Sequence, residues 1–346
     1  MKKEVVLLQN LENSKFKADR VRKTIKASLT EVGIGYASDK ITLEAKIAHF
    51  IPPFKYSSIE QAASFDKKIV ISAFYTEEEK SSAVSNYRNT MDLNKTNIYS
   101  NYLKSFQKAD RILVPCNEYK ELLIKKGIPE EKINVVNAGA NVKIYRYLPE
   151  KDMELTRRYY SLAPDTKLIL IFGHLKDKRM MNSIVNLANL RKDCKVIFLG
   201  TNGRLLDRPL IKFKMLFVKL PPNLILTTFR DINIYRSLLK NCRVLVNLGH
   251  VLMDEIQLNE AFASEIQVIG LERTFSKEVL NSGIVISRDN KKDLFMDIWD
   301  YLDYKISNTI SNASFYINKH DVQYIGEALK EIYNNLLAEE NEDDRY

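Results

Sequence analysis

The chain is poor in the residues that staple or loosen a fold. Cysteine occurs only 3 times in 346 residues. Cys116, Cys194 and Cys242 lie far apart with no C-x-x-C spacing, which argues against a disulfide framework and a thiolate zinc site and points to a reducing, cytoplasmic compartment. The 11 glycines and 9 prolines are too few for a low-complexity or fibrous chain. No stretch approaches the roughly 20 apolar residues of a membrane-spanning helix. The opening MKKEVVLLQN carries only Val-Val-Leu-Leu before polar residues return, too short for the core of a signal peptide. No internal repeat is visible.

What is present is basic and globular. Lysine and arginine outnumber aspartate and glutamate 53 to 44, a net charge of +9, and 45% of the residues are hydrophobic. Such an excess of positive charge favours an anionic partner: a sugar nucleotide, an anionic lipid surface or nucleic acid. The last residues, AEENEDDRY, are acidic, so the remainder is more basic than the total. Recognition-module signatures and aromatics interleaved with the basic runs are missing, so nucleic acid is not expected.

Hydrophobic patterning alternates strands with helices. Apolar runs stand at KEVVLLQN, EAKIAHFI, KKIVISAF, ADRILVP and EKINVVNAG, then at TKLILIFG, CKVIFLG, NLILTTF, CRVLVNLG, IQVIGL and SGIVIS. Amphipathic stretches such as NEYKELLIKKG and NSIVNLANLRK lie between them. Continuous apolar runs separated by helices imply parallel strands covered on both faces. The length suits two domains, and the pattern restarts after the polar, helix-like PEKDMELTRRYYSLAPD. The expected division is residues 1–155, then 156–320, then a helix over 321–338 that crosses back, then an acidic tail over 339–346.

The order of these landmarks resembles the GT-B glycosyltransferases of the large retaining family that includes bacterial glycolipid synthases. FQKADRILVPCNEYKELLIKKGIPEEKINVVNAGANVKIYRY is similar to the segment that ends that family's first domain, and TKLILIFGHLKDKR to the strand, glycine turn and basic loop that open the second. The likeness runs over roughly residues 60–290 and is best to enzymes acting on diacylglycerol-type acceptors. It implies two Rossmann-like, doubly wound parallel-sheet domains with a cleft between them, and a nucleotide sugar, a UDP-sugar, as substrate. Breaking the anomeric bond leaves negative charge on the departing diphosphate, so cationic side chains and helix N-terminal amides must face it. The resemblance places Gly173, Lys178 and Arg179 in that role. It places Glu260, at a helix start, on the ribose hydroxyls, and Gly139 and Asn141 along the cleft. No nucleophile or general base is assigned.

The chain departs from the family pattern at three points. Leu252 stands where the first glutamate of the E-x7-E pair belongs, with Asp254, Glu255 and His250 nearby. The N-terminal loop NLENSKFKADR, usually glycine-rich, has no glycine. Ala73, Phe74 and Tyr75 occupy the place of a sugar-binding histidine, leaving His49 as the nearest candidate. No D-x-D triplet occurs, so donor binding is expected to need neither metal nor cofactor.

Two segments suggest attachment to an anionic membrane surface. SKFKADRVRKTIKASL carries Lys15, Lys17, Arg20 and Arg22 on a first helix, and GRLLDRPLIKFKMLFVKLPP interleaves Arg208, Lys212 and Lys214 with Phe213 and other apolar residues. Each basic residue near such a surface contributes about 1 kcal/mol, and inserted apolar side chains add to this. The alternative is a solvated helix face and a core-covering helix. The expectation is a peripheral protein on the inner face of the cell membrane that transfers sugar to a lipid or surface-glycan precursor. The alternative is a non-catalytic GT-B subunit that binds and stabilises a glycosyltransferase partner protein.

Overall fold

The computed structural model describes residues 4–9, 17–52, 54–75, 83–85, 96–173, 178–200, 220–228, 231–248, 252–253 and 255–343. Packing divides the chain into two compact units, one of residues 1–141, 254–259 and 317–346, the other of residues 142–253 and 260–316. The chain changes units at 141/142, 253/254, 259/260 and 316/317; the boundaries expected from the sequence were 155/156 and 320/321. The stretch read as polar and helix-like forms two short helices, Glu150–Met153 and Leu155–Tyr159, in the second unit.

The first unit is built on β1 (Val5–Leu8), β2 (Tyr36–Ser38), β3 (Ile47–Phe50), β4 (Lys68–Ser72), β7 (Arg111–Val114) and β8 (Ile133–Val135). They form one sheet in the order β2-β1-β3-β4-β7-β8 with every pairing parallel. The short β5 (Val84–Ser85) and β6 (Asn97–Ile98) form a separate antiparallel pair. Consecutive apolar residues such as Val5-Val6-Leu7 and Ile69-Val70-Ile71 are buried, because helices cover both faces of a parallel sheet. Among those helices are α1 (Lys17–Glu31), α2 (Tyr56–Ser64), α3 (Ser100–Lys108) and α4 (Asn117–Lys125).

The second unit holds β9 (Lys167–Gly173), β10 (Cys194–Gly200), β11 (Leu224–Thr228), β12 (Val244–Asn247), β13 (Gln267–Leu271) and β14 (Val285–Arg288). Its sheet runs β11-β10-β9-β12-β13-β14, again all parallel, which is the doubly wound order 3-2-1-4-5-6. Its helices include α5 (Lys178–Leu190), α6 (Ile232–Asn241) and α8 (Lys291–Leu302). Ile184 and Leu187 of α5 and Leu294, Ile298 and Leu302 of α8 join Ile169, Ile171, Val196 and Val246 of the sheet in one core. Arg191 ties the ends of α5 and α8 together. Its guanidinium bonds Asp193 at 2.9 and 2.7 Å and Asp303 at 3.0 Å, and lies 5.2 Å over the Trp299 ring.

The first part of α7 (Glu255–Ala263) groups with the first unit and the part from Glu260 with the second. The terminal α9 (Val322–Asp343) returns to the first unit and packs on α1. Val21, Ile25 and Leu29 share a core there with Ile325, Leu329, Ile332 and Leu336, each set spaced by three or four residues along one helix face. Gly326 permits the close approach, since a Cβ there would fall 2.5 Å from the Ser28 carbonyl oxygen.

Candidate functional site

In a doubly wound sheet, ligands sit outside the carboxyl ends of the strands where the winding reverses. In the second unit that switch point lies between β9 and β12, which are adjacent although separated by two strands in sequence order. Gly173 ends β9 and α5 starts at Lys178; Asn247 ends β12, and α7 follows. Lys178 and Arg179 therefore form the first turn of α5, although their side chains lie outside the described residues. That turn holds no acidic residue, and a helix N-terminus already carries about half a positive charge. Adding two cations there is unfavourable by itself, and an anion bound at the turn offsets it.

Glu260 is buried, with 3% of its surface exposed. Tyr145 Oη donates to Glu260 Oε1 at 2.5 Å and Tyr235 Oη donates to Oε2 at 2.8 Å. All three residues belong to the second unit. The expectation that Glu260 stands at a helix start is corrected: α7 begins at Glu255, and Glu260 lies in its second turn. An acidic residue suits the first turn because of the helix dipole, and Glu255 fills that position. After Ala263 the helix closes with Glu265 in the left-handed region at φ +62° and Ile266 N–H on the Ala261 carbonyl at 3.1 Å.

The two tyrosines are held from behind. Tyr235 lies on α6, whose N-terminus is capped by Asp231 accepting from Asn233 N–H at 2.7 Å and Ile234 N–H at 3.2 Å. The next residue, Arg236, donates to the carbonyls of Ile144 and Tyr147, the latter at 3.1 Å, and so fixes the short helix Val142–Arg146 that carries Tyr145. The Tyr145 and Tyr235 rings meet edge to face at 6.4 Å, and Phe172, near the end of β9, lies 6.1 Å from Tyr235. Sequence reading missed both tyrosines. The one available signal was the spacing of Tyr235 with Leu238 and Leu239, all buried on the inner face of α6, which marks a core face and not a site.

The other candidates fall elsewhere. His49 is corrected as a sugar ligand: it is fully buried on β3 in the first unit, its Nδ1 2.7 Å from Tyr333 Oη and its Nε2 2.8 Å from Ser72 Oγ. Burial pushes its pKa down to about 3, so the ring is neutral. Ala73, Phe74 and Tyr75 are also interior, with Phe74 at φ +66° stacked 4.7 Å from Tyr119 and Tyr75 Oη donating to the Val136 carbonyl at 2.7 Å. Gly139 has φ +64°, and a Cβ there would meet Ile325 Cγ1 at 2.7 Å and the His320 carbonyl at 3.0 Å. Ala140 N–H donates to that same carbonyl at 2.9 Å, and Asn137 Oδ1 accepts from Gly139 N–H and from Asn259 Nδ2. Asn141 ends this turn half-buried. Leu252 is partly buried, while Asp254 and His250 lie outside the described residues.

The membrane assignment of Arg20 and Arg22 is also corrected. Both are buried, and Arg22 pairs with Asp39 Oδ2 at 2.5 Å, so neither offers an exposed charge. Lys15, Arg208, Lys212, Phe213 and Lys214 lie outside the described residues, as does the side chain of Lys17. Among the described residues no helix is long and apolar enough to cross a membrane, and no group of three or more His, Cys, Asp or Glu is placed to hold a metal ion.

No protein-family model matches the chain. Among curated proteins, the processive diacylglycerol alpha-glucosyltransferase of Acholeplasma laidlawii is 18% identical over 230 residues, 66% of this chain and 68% of that one. Among solved structures, Anabaena HepE in complex with UDP-glucose matches with a TM-score of 0.69 at 11% identity, over 96% of this chain and 99% of that one. Sucrose-phosphate synthase from Thermosynechococcus elongatus matches with a TM-score of 0.68 at 11% identity, over 97% and 100%. The fold is GT-B. A glycosyltransferase from Rickettsia africae, with a TM-score of 0.67 at 15% identity over 97% of this chain and 99% of that one, has the same architecture. Within the GT-B fold of this chain, the tyrosine-held carboxylate and the basic first turn of α5 both belong to the second unit.

Proposed function

We propose that the protein is a glycosyltransferase that uses a UDP-sugar and acts on a lipid or surface-glycan precursor at the inner face of the membrane. The observation that carries this reading is the switch point of the second sheet. There, one strand end leads to a helix whose first turn is Lys178-Arg179, and the neighbouring strand leads to the helix bearing Glu260. In this reading the α5 amides and the two cations take the diphosphate, Glu260 takes the ribose hydroxyls, and no metal is required. Transfer breaks the anomeric carbon–oxygen bond to the diphosphate and joins that carbon to the acceptor oxygen, while the acceptor proton leaves on the diphosphate. The UDP-glucose held by HepE supports the donor class, and the likeness to a diacylglycerol glucosyltransferase supports a diacylglycerol-type acceptor.

Leu252 in place of a donor-side carboxylate favours a second reading, a GT-B subunit that stabilises an active partner without turnover. Incubation with labelled UDP-glucose, UDP-galactose or UDP-N-acetylglucosamine and vesicles of diacylglycerol and phosphatidylglycerol separates the two. The enzyme yields labelled glycolipid from one donor, and Lys178→Ala with Arg179→Ala lowers the rate by about 100-fold or more, since removing one stabiliser of leaving charge typically costs that much. No labelled lipid from any of the three donors contradicts the enzyme reading with this acceptor.

A further inference from the structure

We propose that the first unit carries a ligand site of its own, a cavity at the amino end of β4 that takes a phosphate monoester. The cavity has a volume of about 310 Å³, opens to solvent, and has Lys67, Lys68, Lys108, Asp66 and Asp110 in its wall. All five belong to the first unit, so the site does not rest on the donor reading of the second. Two elements bring the lysines together. After α2 ends at Ser64 the chain turns through Asp66, in the left-handed region at φ +51°, and enters β4 at Lys68. Lys108 is the last residue of α3, where the negative end of the helix dipole favours a cation.

The charge of these lysines is not offset in place. Among the described residues no carboxylate oxygen lies within 4.0 Å of any of the three ammonium groups, although two aspartates share the cavity. Asp110 is turned to the backbone, where its Oδ2 accepts from Ile69 N–H at 2.6 Å. Lys67 donates to the Leu43 carbonyl at 3.1 Å, which uses one of its three N–H donors. Lys67 and Lys68 are half-buried, and like charges brought together in partly desolvated surroundings repel more than in open water. An anion in the cavity relieves that repulsion. A phosphate monoester carries about −1.5 to −2 charges at pH 7 and three strong acceptor oxygens, one for each ammonium. The two aspartates limit the excess charge of the wall, which suits a single phosphate and disfavours a polyanion.

The test uses the full chain at low salt and two probes with the same phosphate group. Glycerol 3-phosphate is titrated calorimetrically, and vesicles of phosphatidylcholine containing phosphatidic acid are used in co-sedimentation. Both are applied to the wild type, to Lys108→Gln, to the triple variant Lys67→Gln, Lys68→Gln and Lys108→Gln, and to Lys178→Ala with Arg179→Ala. Glutamine keeps most of the side-chain length and removes the charge. Folding is followed by circular dichroism, and Lys108→Gln at its exposed helix end carries the test if the triple variant unfolds. The wild type is expected to bind at least one probe. Lys108→Gln weakens that binding by about 3-fold, the scale of one partly exposed ion pair, and the triple variant by about 30-fold. The variant lacking Lys178 and Arg179 binds as the wild type does. Binding of glycerol 3-phosphate identifies a soluble ligand, and binding of the vesicles alone identifies a lipid headgroup. The inference is overturned if the wild type binds neither probe, if binding survives the lysine substitutions, or if it disappears with Lys178 and Arg179.

Discussion

Replacing Glu260 with leucine is expected to lower the unfolding free energy of the second unit by about 2 kcal/mol. The substitution keeps an apolar body of similar size but leaves the hydroxyls of Tyr145 and Tyr235 buried without this acceptor. Each hydrogen bond lost to the buried acceptor costs about 1–3 kcal/mol, so the two together, about 4 kcal/mol, exceed the gain of about 2 kcal/mol from burying an aliphatic side chain. Glu260→Gln retains an acceptor oxygen and is expected to cost about half as much. Urea unfolding followed by circular dichroism reads both. An unchanged midpoint for Glu260→Leu would mean that the tyrosine hydroxyls do not depend on this carboxylate.

The first unit is expected to lose stability in mild acid through a single buried imidazole. His49 titrates near pH 6.5 in an unfolded chain, whereas burial holds its folded pKa down at about 3. Between these values the unfolded chain binds a proton that the folded chain refuses. Stability is therefore fully present above pH 6.5 and falls by about 1.4 kcal/mol per pH unit on acidification, until the folded form also takes up the proton near pH 3. The groups facing the ring are the hydroxyls of Tyr333 and Ser72; burial raises the Tyr333 pKa well above its usual range, so neither hydroxyl offsets a charge on His49. Carboxylates elsewhere contribute their own slope, so the readout is a difference. Between pH 6.5 and 5 the wild type should lose about 2 kcal/mol more than His49→Gln, which cannot titrate. Parallel pH profiles for the two proteins would show that His49 does not set this dependence.

The sheets were legible in the sequence because parallel strands covered on both faces read as unbroken apolar runs; all eleven runs picked out form strands. What escaped was short or peripheral. β2 is the three-residue Tyr-Ala-Ser at the sheet edge, half-buried throughout, with no apolar run to mark it. Beside that strand lies the acidic partner of one arginine of α1. Asp39, directly after that strand, pairs with Arg22, and Arg20 on the same helix is also buried. The candidate site shows the same limit. Glu260 was visible as a residue type in a familiar order, but Tyr145 and Tyr235 lie 115 and 25 residues away in sequence. No local pattern joins them; only the winding of the second sheet does.

Calorimetric titration with UDP, GDP and their glucose conjugates tests, without knowledge of the acceptor, whether the second unit is a working nucleotide-sugar site. A working site binds UDP with a dissociation constant of about 1–100 μM, weakened by about 100-fold in Lys178→Ala with Arg179→Ala, a loss of about 2.7 kcal/mol from the diphosphate contacts. Absence of heat with all four ligands would contradict it and turn the search toward a protein partner.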